Sequence, residues 1–213
     1  MNKVTKHGSA HYNEAQTCSA HTHVQKPYND FALQETSRPW WDAFLAELQG
    51  GDLILDLGCG SGIPARYFAS RGMRVIGVDI SPEMILLAKK QVPGVPFICA
   101  DMEVQWPRGV FDGICVFFSL LHLPKEKTAY LMHKIYQWLK PGGVLVITVV
   151  EGITEGLCEN FMGEGVPVYL SYYTKEELTS SLCAIGFSIV VVRDLYVKTE
   201  NFEETELFIL AKK

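Results

Sequence analysis

The sequence predicts an α/β fold in three layers: a seven-stranded sheet, mostly parallel, with helices on both faces and a C-terminal antiparallel hairpin. Three observations predict it. Short apolar runs alternate with amphipathic stretches between Leu53 and Val150, which is the rhythm of strand–helix–strand units. The runs are apolar at consecutive positions, as strands covered on both faces are. The last two runs have no helical pattern between them, so they are expected to pair with each other at the sheet edge. The right-handed crossover rule then leaves a doubly wound sheet as the solution.

The elements follow in order. Residues 30–48 carry apolar positions at helical spacing, interrupted by Pro39; two helices are expected, the second beginning near that proline. Leu53–Leu57 is the first strand and stops at a glycine cluster, Ile63–Ser70 is a helix closed by Gly72, and residues 74–78 are the second strand. Ser81 caps the next helix with Pro82 in its first turn, a pairing that satisfies one free N–H and needs no other. Phe97–Cys99 and residues 111–118 are the third and fourth strands, residues 125–139 a helix, residues 140–143 a turn and residues 144–150 the fifth strand. Thr174 and Glu177 form a capping box for a helix ended by Gly186. Residues 187–197 and 206–211 are the hairpin. The span 151–173 is rich in glycine and aromatics and too long for a simple connection, so it is a candidate binding loop or cap on the single domain 30–213.

Composition narrows the function. The chain of 213 residues is 48% hydrophobic and 20% charged, with a formal charge of −5. That balance suits a globular domain and gives no electrostatic footprint for a nucleic-acid backbone. None of the six cysteines forms a C-x-x-C pair, so neither a zinc site nor a disulfide framework is expected. The polar N-terminus lacks an apolar signal core and no apolar run is long enough for a membrane span; the expected location is the cytoplasm, as a monomer or homodimer. Residues 1–29 hold four of the six histidines, His7, His11, His21 and His23. They read as a mobile arm, with a metal-binding tail and a lid over a ligand as the competing readings.

Ligands of doubly wound sheets sit at the C-terminal ends of the parallel strands. The first strand ends in Asp56-Leu-Gly58-Cys59-Gly60-Ser-Gly62. A plain strand-to-helix turn needs one or two glycines; three at alternate positions let backbone approach a ligand closely. A dinucleotide fingerprint would put glycine at position 63, which is Ile63. The second strand ends in Asp79, followed by Ile80. An acid roughly 20 residues past the first glycine is placed to accept ribose hydroxyls, which indicates an adenosine-type ligand. At the third strand end, Asp101 is placed for an adenine amine, and Met102 and Ile80 to sandwich the ring; the plain alternative for Asp101 is a turn residue.

Together these motifs resemble the class I S-adenosylmethionine-dependent methyltransferases with small-molecule substrates, a Rossmann-like family. The resemblance rests on Leu55-Asp-Leu-Gly-Cys-Gly-Ser-Gly62, Val75-Ile-Gly-Val-Asp-Ile-Ser81, Phe111-Asp-Gly-Ile-Cys-Val116 with Leu121-His122-Leu123, and Leu139-Lys-Pro-Gly-Gly-Val144, in order. It implies S-adenosyl-L-methionine as cofactor, with Gly58 and Gly60 against its methionine part, Asp56 helping to hold the amino group, and the carbonyl near Phe117 as a second amine contact. It also implies that Tyr28 lies against the donor.

Methyl transfer is an in-line displacement in which positioning supplies much of the rate, and a base is needed only if the nucleophile must lose a proton. His122, after the fourth strand, is the candidate base; a structural histidine opening the next helix is the competing reading. His133 lies mid-helix and reads as structural. The residues after strand four are Phe117-Phe-Ser-Leu120, not the Asn/Asp-Pro-Pro-aromatic signature of enzymes that methylate nucleobase amines. Tyr28, Trp40 or Trp41, Phe161, Met162, Tyr169, Tyr172 and Tyr173 are candidates for an aromatic substrate pocket, or else pack the cap onto the domain. The competing functions are a protein or RNA methyltransferase, a non-catalytic adenosyl-ligand binder, and a nicotinamide-dependent reductase.

Overall fold

The computed structural model describes residues 4–5, 37–160, 165, 167–198 and 203–213. Its centre is a seven-stranded sheet in the order β4-β3-β2-β5-β6-β10-β9. The five parallel strands are β2 (Leu53–Leu57), β3 (Arg74–Asp79), β4 (Phe97–Cys99), β5 (Phe111–Phe117) and β6 (Leu139–Val150). At the other edge β10 (Glu203–Lys212) runs antiparallel to β6 and to β9 (Ser188–Lys198).

Helices α1 (Arg38–Leu45), α2 (Ile63–Ser70) and α3 (Pro82–Gln91) pack on one face; α4 (Lys125–Trp138) and α5 (Lys175–Ile185) pack on the other. Strand periodicity separates the two cores. In β6, Val144, Val146 and Val150 face the α1 side, while Leu145, Ile147 and Val149 face the α4 side. Thr148 interrupts the first set, and it is fully buried. The caps read from the sequence are present: Ser81 Oγ accepts from Met84 N–H at 3.3 Å, and Thr174 Oγ1 from Glu177 N–H at 3.1 Å.

Two expectations change in detail and a third holds. Residues 140–143, read as a turn, lie inside β6, which follows α4 directly. Leu139 pairs with Phe111, and the register shifts before Gly113 pairs with Val144, so Gly142 at φ +76° absorbs an irregularity within the strand. Lys140 Nζ, 2.7 Å from Asp112 Oδ1, holds this stretch against β5. Second, the 151–173 span carries regular structure: β7 (Glu155–Cys158) and β8 (Val168–Ser171) pair antiparallel, and β1 (Val4–Thr5) adds to β7. Third, α1 begins at Arg38, with Pro39 in its first turn as expected; the earlier helix, the histidines of the N-terminal arm, Tyr28, Phe161 and Met162 lie outside the described residues. No helix among the described residues is long and apolar enough to cross a membrane.

Candidate functional site

The β2–α2 loop owes its shape to its glycines. Gly58, Gly60 and Gly62 have φ of +72°, +50° and +80°, a region that side-chain-bearing residues rarely occupy. The loop is stitched to β3: Gly58 N–H and Cys59 N–H both donate to the Val78 carbonyl, at 2.7 and 3.0 Å. A Cβ on Gly58 would come within 2.6 Å of Ser119 Oγ and 2.8 Å of Met102 Cε. Gly62 starts α2, and a Cβ there would meet the Phe97 ring at 2.9 Å. Ser119, just past β5, donates its hydroxyl to the Leu57 carbonyl at 2.7 Å and so closes the loop from the opposite side.

Asp79 stands at the C-terminal end of β3 and is 6% exposed. Its Oδ2 accepts from Gly60 N–H at 2.8 Å and its Oδ1 from Ser81 N–H at 2.9 Å. The carboxylate thus fixes the glycine loop, and each oxygen keeps lone-pair capacity for a further donor such as a hydroxyl. Asp101 accepts from Glu103 N–H at 2.6 Å, the turn geometry weighed for it. Met102 reaches the Gly58 position, and Ile80 follows Asp79 directly.

Asp56 differs from both. It is 1% exposed; Cys115 Sγ–H approaches Oδ1 at 3.4 Å, and Oδ2 has no hydrogen-bond partner. Burial, with the Asp79 charge adding to it, pushes its carboxyl up to about 7. A cleft opens beside it, walled by Trp40, Trp41, Asp56, Gly58, Phe117 and Thr148. Cys59, whose thiol burial pushes up, also lies on this wall. Four buried polar atoms around the cleft lack partners: Asp56 Oδ2, Thr148 Oγ1 and the indole nitrogens of Trp40 and Trp41. Unpaired buried groups are costly in a closed protein and are accounted for where a ligand completes them. Phe118 is the one non-glycine residue with positive φ among the described residues, at +51°, and its N–H donates to the Thr148 carbonyl at 2.9 Å. Backbone strain of this kind concentrates at ligand sites.

The structure therefore gathers Asp56, Gly58, Cys59, Gly60, Gly62, Asp79, Ile80, Asp101, Met102 and Phe117 at the C-terminal ends of adjacent strands. His122 is 4% exposed at the end of a 3-10 turn, Leu120–His122, and does not line the cleft. The predicted aromatic pocket divides. Trp40 and Trp41 wall the cleft. Tyr169 and Tyr173 instead fasten the cap: the Tyr169 hydroxyl donates to Glu155 at 3.0 Å, and the Tyr173 hydroxyl meets Thr128 Oγ1 at 2.8 Å with its ring in the α4-side core. Thr148, Phe118 and Ser119 were not singled out from the sequence. Thr148 had a signal, as the lone hydroxyl in the otherwise apolar run of residues 144–150.

The donor set fits S-adenosylmethionine. A buried carboxylate without a partner suits an ammonium, three left-handed glycines leave room for close backbone approach, and Asp79 has capacity for a ribose diol.

Comparisons with known proteins agree. The family model for a methyltransferase domain matches residues 55–147. Sterol 24-C-methyltransferase of Eremothecium gossypii is 29% identical over 182 residues, covering 77% of this chain and 48% of that protein. Phosphoethanolamine N-methyltransferase 3 of Arabidopsis thaliana is 36% identical over 120 residues, covering 54% of this chain and 24% of that protein. The chain thus spans half or less of the length of these two relatives. In fold, the 1,6-didemethyltoxoflavin-N1-methyltransferase of Burkholderia thailandensis, solved with 1,6-didemethyltoxoflavin and S-adenosylhomocysteine bound, superposes with a TM-score of 0.78 at 24% identity, over 99% of this chain and 93% of that one. Motif, fold and matched region converge: residues 55–147 match a methyltransferase domain, and the chain has the fold of the S-adenosylmethionine-dependent methyltransferases.

Proposed function

We propose that the protein transfers a methyl group from S-adenosylmethionine to a nucleophile on a small molecule. The observation that carries this reading is Asp56: a buried carboxylate with an unpartnered oxygen, on the wall of a cleft beside the glycine loop. S-adenosylmethionine supplies an electrophilic methyl on a sulfonium whose charge is lost as the new bond forms. Asp56 and the carbonyls past β5 hold the ammonium, Gly58 and Gly60 give backbone contact, and Asp79 receives the ribose hydroxyls. Asp101, Met102 and Ile80 bound the adenine. Trp40, Trp41, Phe117 and Phe118 exclude water and hold an apolar or flat acceptor in line; orientation of this kind is worth roughly 7–11 kcal/mol of barrier. His122, the base candidate from the sequence, is buried outside the cleft wall, so this reading favours the structural role for it and takes no proton through it. An acidic chain with reduced thiols and an aromatic-walled cleft supports a cytoplasmic enzyme of small molecules over one of nucleic acids.

Calorimetry with S-adenosylhomocysteine and with NAD tests the reading. The thioether is expected to bind and NAD not to; tight NAD binding without the thioether would overturn it. Once an acceptor is in hand, His122→Asn should leave the shape of the kcat pH profile unchanged; loss of a limb of that profile would make His122 the base.

A further inference from the structure

A second unpartnered carboxylate lies on the same face of the sheet. Phe208 of β10 pairs with Thr148 of β6, and Glu206 pairs with Val150, the last residue of β6. Partners in an antiparallel pair project to the same side. Phe208, Val146 and Val150 all belong to the α1-side core, so Glu206 projects to that side too, at the ligand-bearing end of the sheet. Thr148 and Trp40 wall the donor cleft, and Trp40 stacks on Phe208 with centroids 4.5 Å apart. Glu206 is the next residue on this face beyond Phe208, farther towards the strand end.

Glu206 is 2% exposed and its Oε2 has no hydrogen-bond partner. Glu204, one step further on the same face, is half-buried. Burial pushes both carboxyls up to about 7, and each is shifted without a compensating cation; for Glu206 the Glu204 charge adds to the effect. Among the described residues, the cation of the paired strand on the face of Glu206 is Arg193 and the packed helix carries Arg38, while Lys198 projects to the other face and pairs with Glu203. Both arginines are exposed, and Arg193 donates to the Val192 carbonyl. A strand whose other inward positions are Phe208 and Leu210 gains no stability from an unpaired acid there. The cost is removed when a cationic donor fills the site. The donor's own ammonium is matched by Asp56 on β2, across the sheet from β10, so Glu206 is left for the other reactant.

Resting on the methyltransferase reading, we propose that Glu206, supported by Glu204, is the specificity determinant that holds an ammonium group of the acceptor beside the donor cleft. Trp40, backed by the stacked Phe208 ring, offers flat surface on its cleft side for the rest of the molecule. An ammonium gripped in this way has its lone pair bonded to a proton, so it is a handle for orientation and a different atom of the acceptor receives the methyl. The same carboxylates repel an acceptor that carries an acid or phosphate at that position.

The test is a ligand-observed NMR titration of the full chain with benzylamine, benzyl alcohol and benzoate, at saturating S-adenosylhomocysteine so that Asp56 is already occupied. In the unaltered protein benzylamine should bind about tenfold or more tighter than benzyl alcohol, and benzoate weakest, as expected for hydrogen bonds to a charged partner. Glu206→Gln should abolish the amine preference and leave S-adenosylhomocysteine affinity unchanged. Glu204→Gln should reduce the preference by a smaller factor, and it decides the matter if Glu206→Gln does not fold. Equal binding of amine and alcohol by the unaltered protein, or a preference that survives both substitutions, overturns the assignment of Glu206 while S-adenosylhomocysteine binding still upholds the methyltransferase reading. Loss of S-adenosylhomocysteine binding by the unaltered protein overturns both.

Discussion

Asp79 does two jobs that a single substitution would conflate. It anchors the Gly60 and Ser81 N–H groups, and it presents spare acceptor capacity to a ribose. Asp79→Ala should weaken S-adenosylhomocysteine binding by about 1.5–3 kcal/mol, the range for hydrogen bonds to a charged group. Asp79→Asn keeps the shape and one acceptor oxygen, so it should fall between Ala and the parent if ribose binding dominates. If Asn binds as poorly as Ala, the charge itself is what matters; unchanged affinity in both would remove Asp79 from the site. Calorimetry on the two variants separates these cases. The acid's place at a strand end was legible from its spacing after Gly58. Its grip on Gly60 was not, because spacing does not say which backbone N–H a carboxylate oxygen meets. Glu206 shows the same limit: it reads as the first residue of the last strand, and the face it takes opposite Val150 follows only from the pairing.

At the scale of elements, the glycine loop and the caps are the parts whose chemistry is most local and was most readable. Gly58→Ala brings a methyl against Ser119 and Met102 at a φ of +72°. Ser119 is held by the Leu57 carbonyl and cannot retreat without breaking that bond. The substitution should lower Tm and donor affinity together, whereas Thr174→Ala, at the far cap of α5, should cost about 1 kcal/mol of stability and leave donor affinity alone. Thermal melts with and without S-adenosylhomocysteine distinguish the two. The alternation of apolar runs and helical periods made the seven strands and their helices legible, since each signal lies within a few residues. Residues 140–143 were misread because Pro and Gly signal a turn locally, while here the pairing of Leu139 with Phe111 and the Lys140–Asp112 ion pair keep the stretch in the sheet. The strands of the cap are only four residues each, too short to show a period, and their aromatics serve tethering and lining equally well as far as composition can tell.

Over the whole molecule, three carboxyls on the α1 side of the sheet have raised values among the described residues: Asp56, Glu204 and Glu206, each pushed up to about 7 from 3.8 or 4.5. A carboxyl whose folded value lies above its unfolded one stabilises the fold when protonated. That contribution is complete below about pH 4, where the unfolded chain also holds the proton, and it is lost as pH rises through about 7. Asp112 works in the opposite sense: Leu53 N–H and Lys140 hold its carboxyl below the usual value, so its contribution fades only at more acid pH. The unliganded protein should therefore be most stable on the acid side of neutrality and lose on the order of a few kcal/mol between pH 4.5 and 7.5. An ammonium placed on Asp56 reverses its share, because the ionised acid becomes the favoured form. S-adenosylhomocysteine should bind more tightly at pH 8 than at pH 6, and its stabilising effect on Tm should grow across the same interval. A melting series over pH, run with and without the ligand, reads both effects at once. A flat profile for the unliganded chain would mean that these acids ionise normally in contact with water, and an affinity independent of pH would detach Asp56 from the donor.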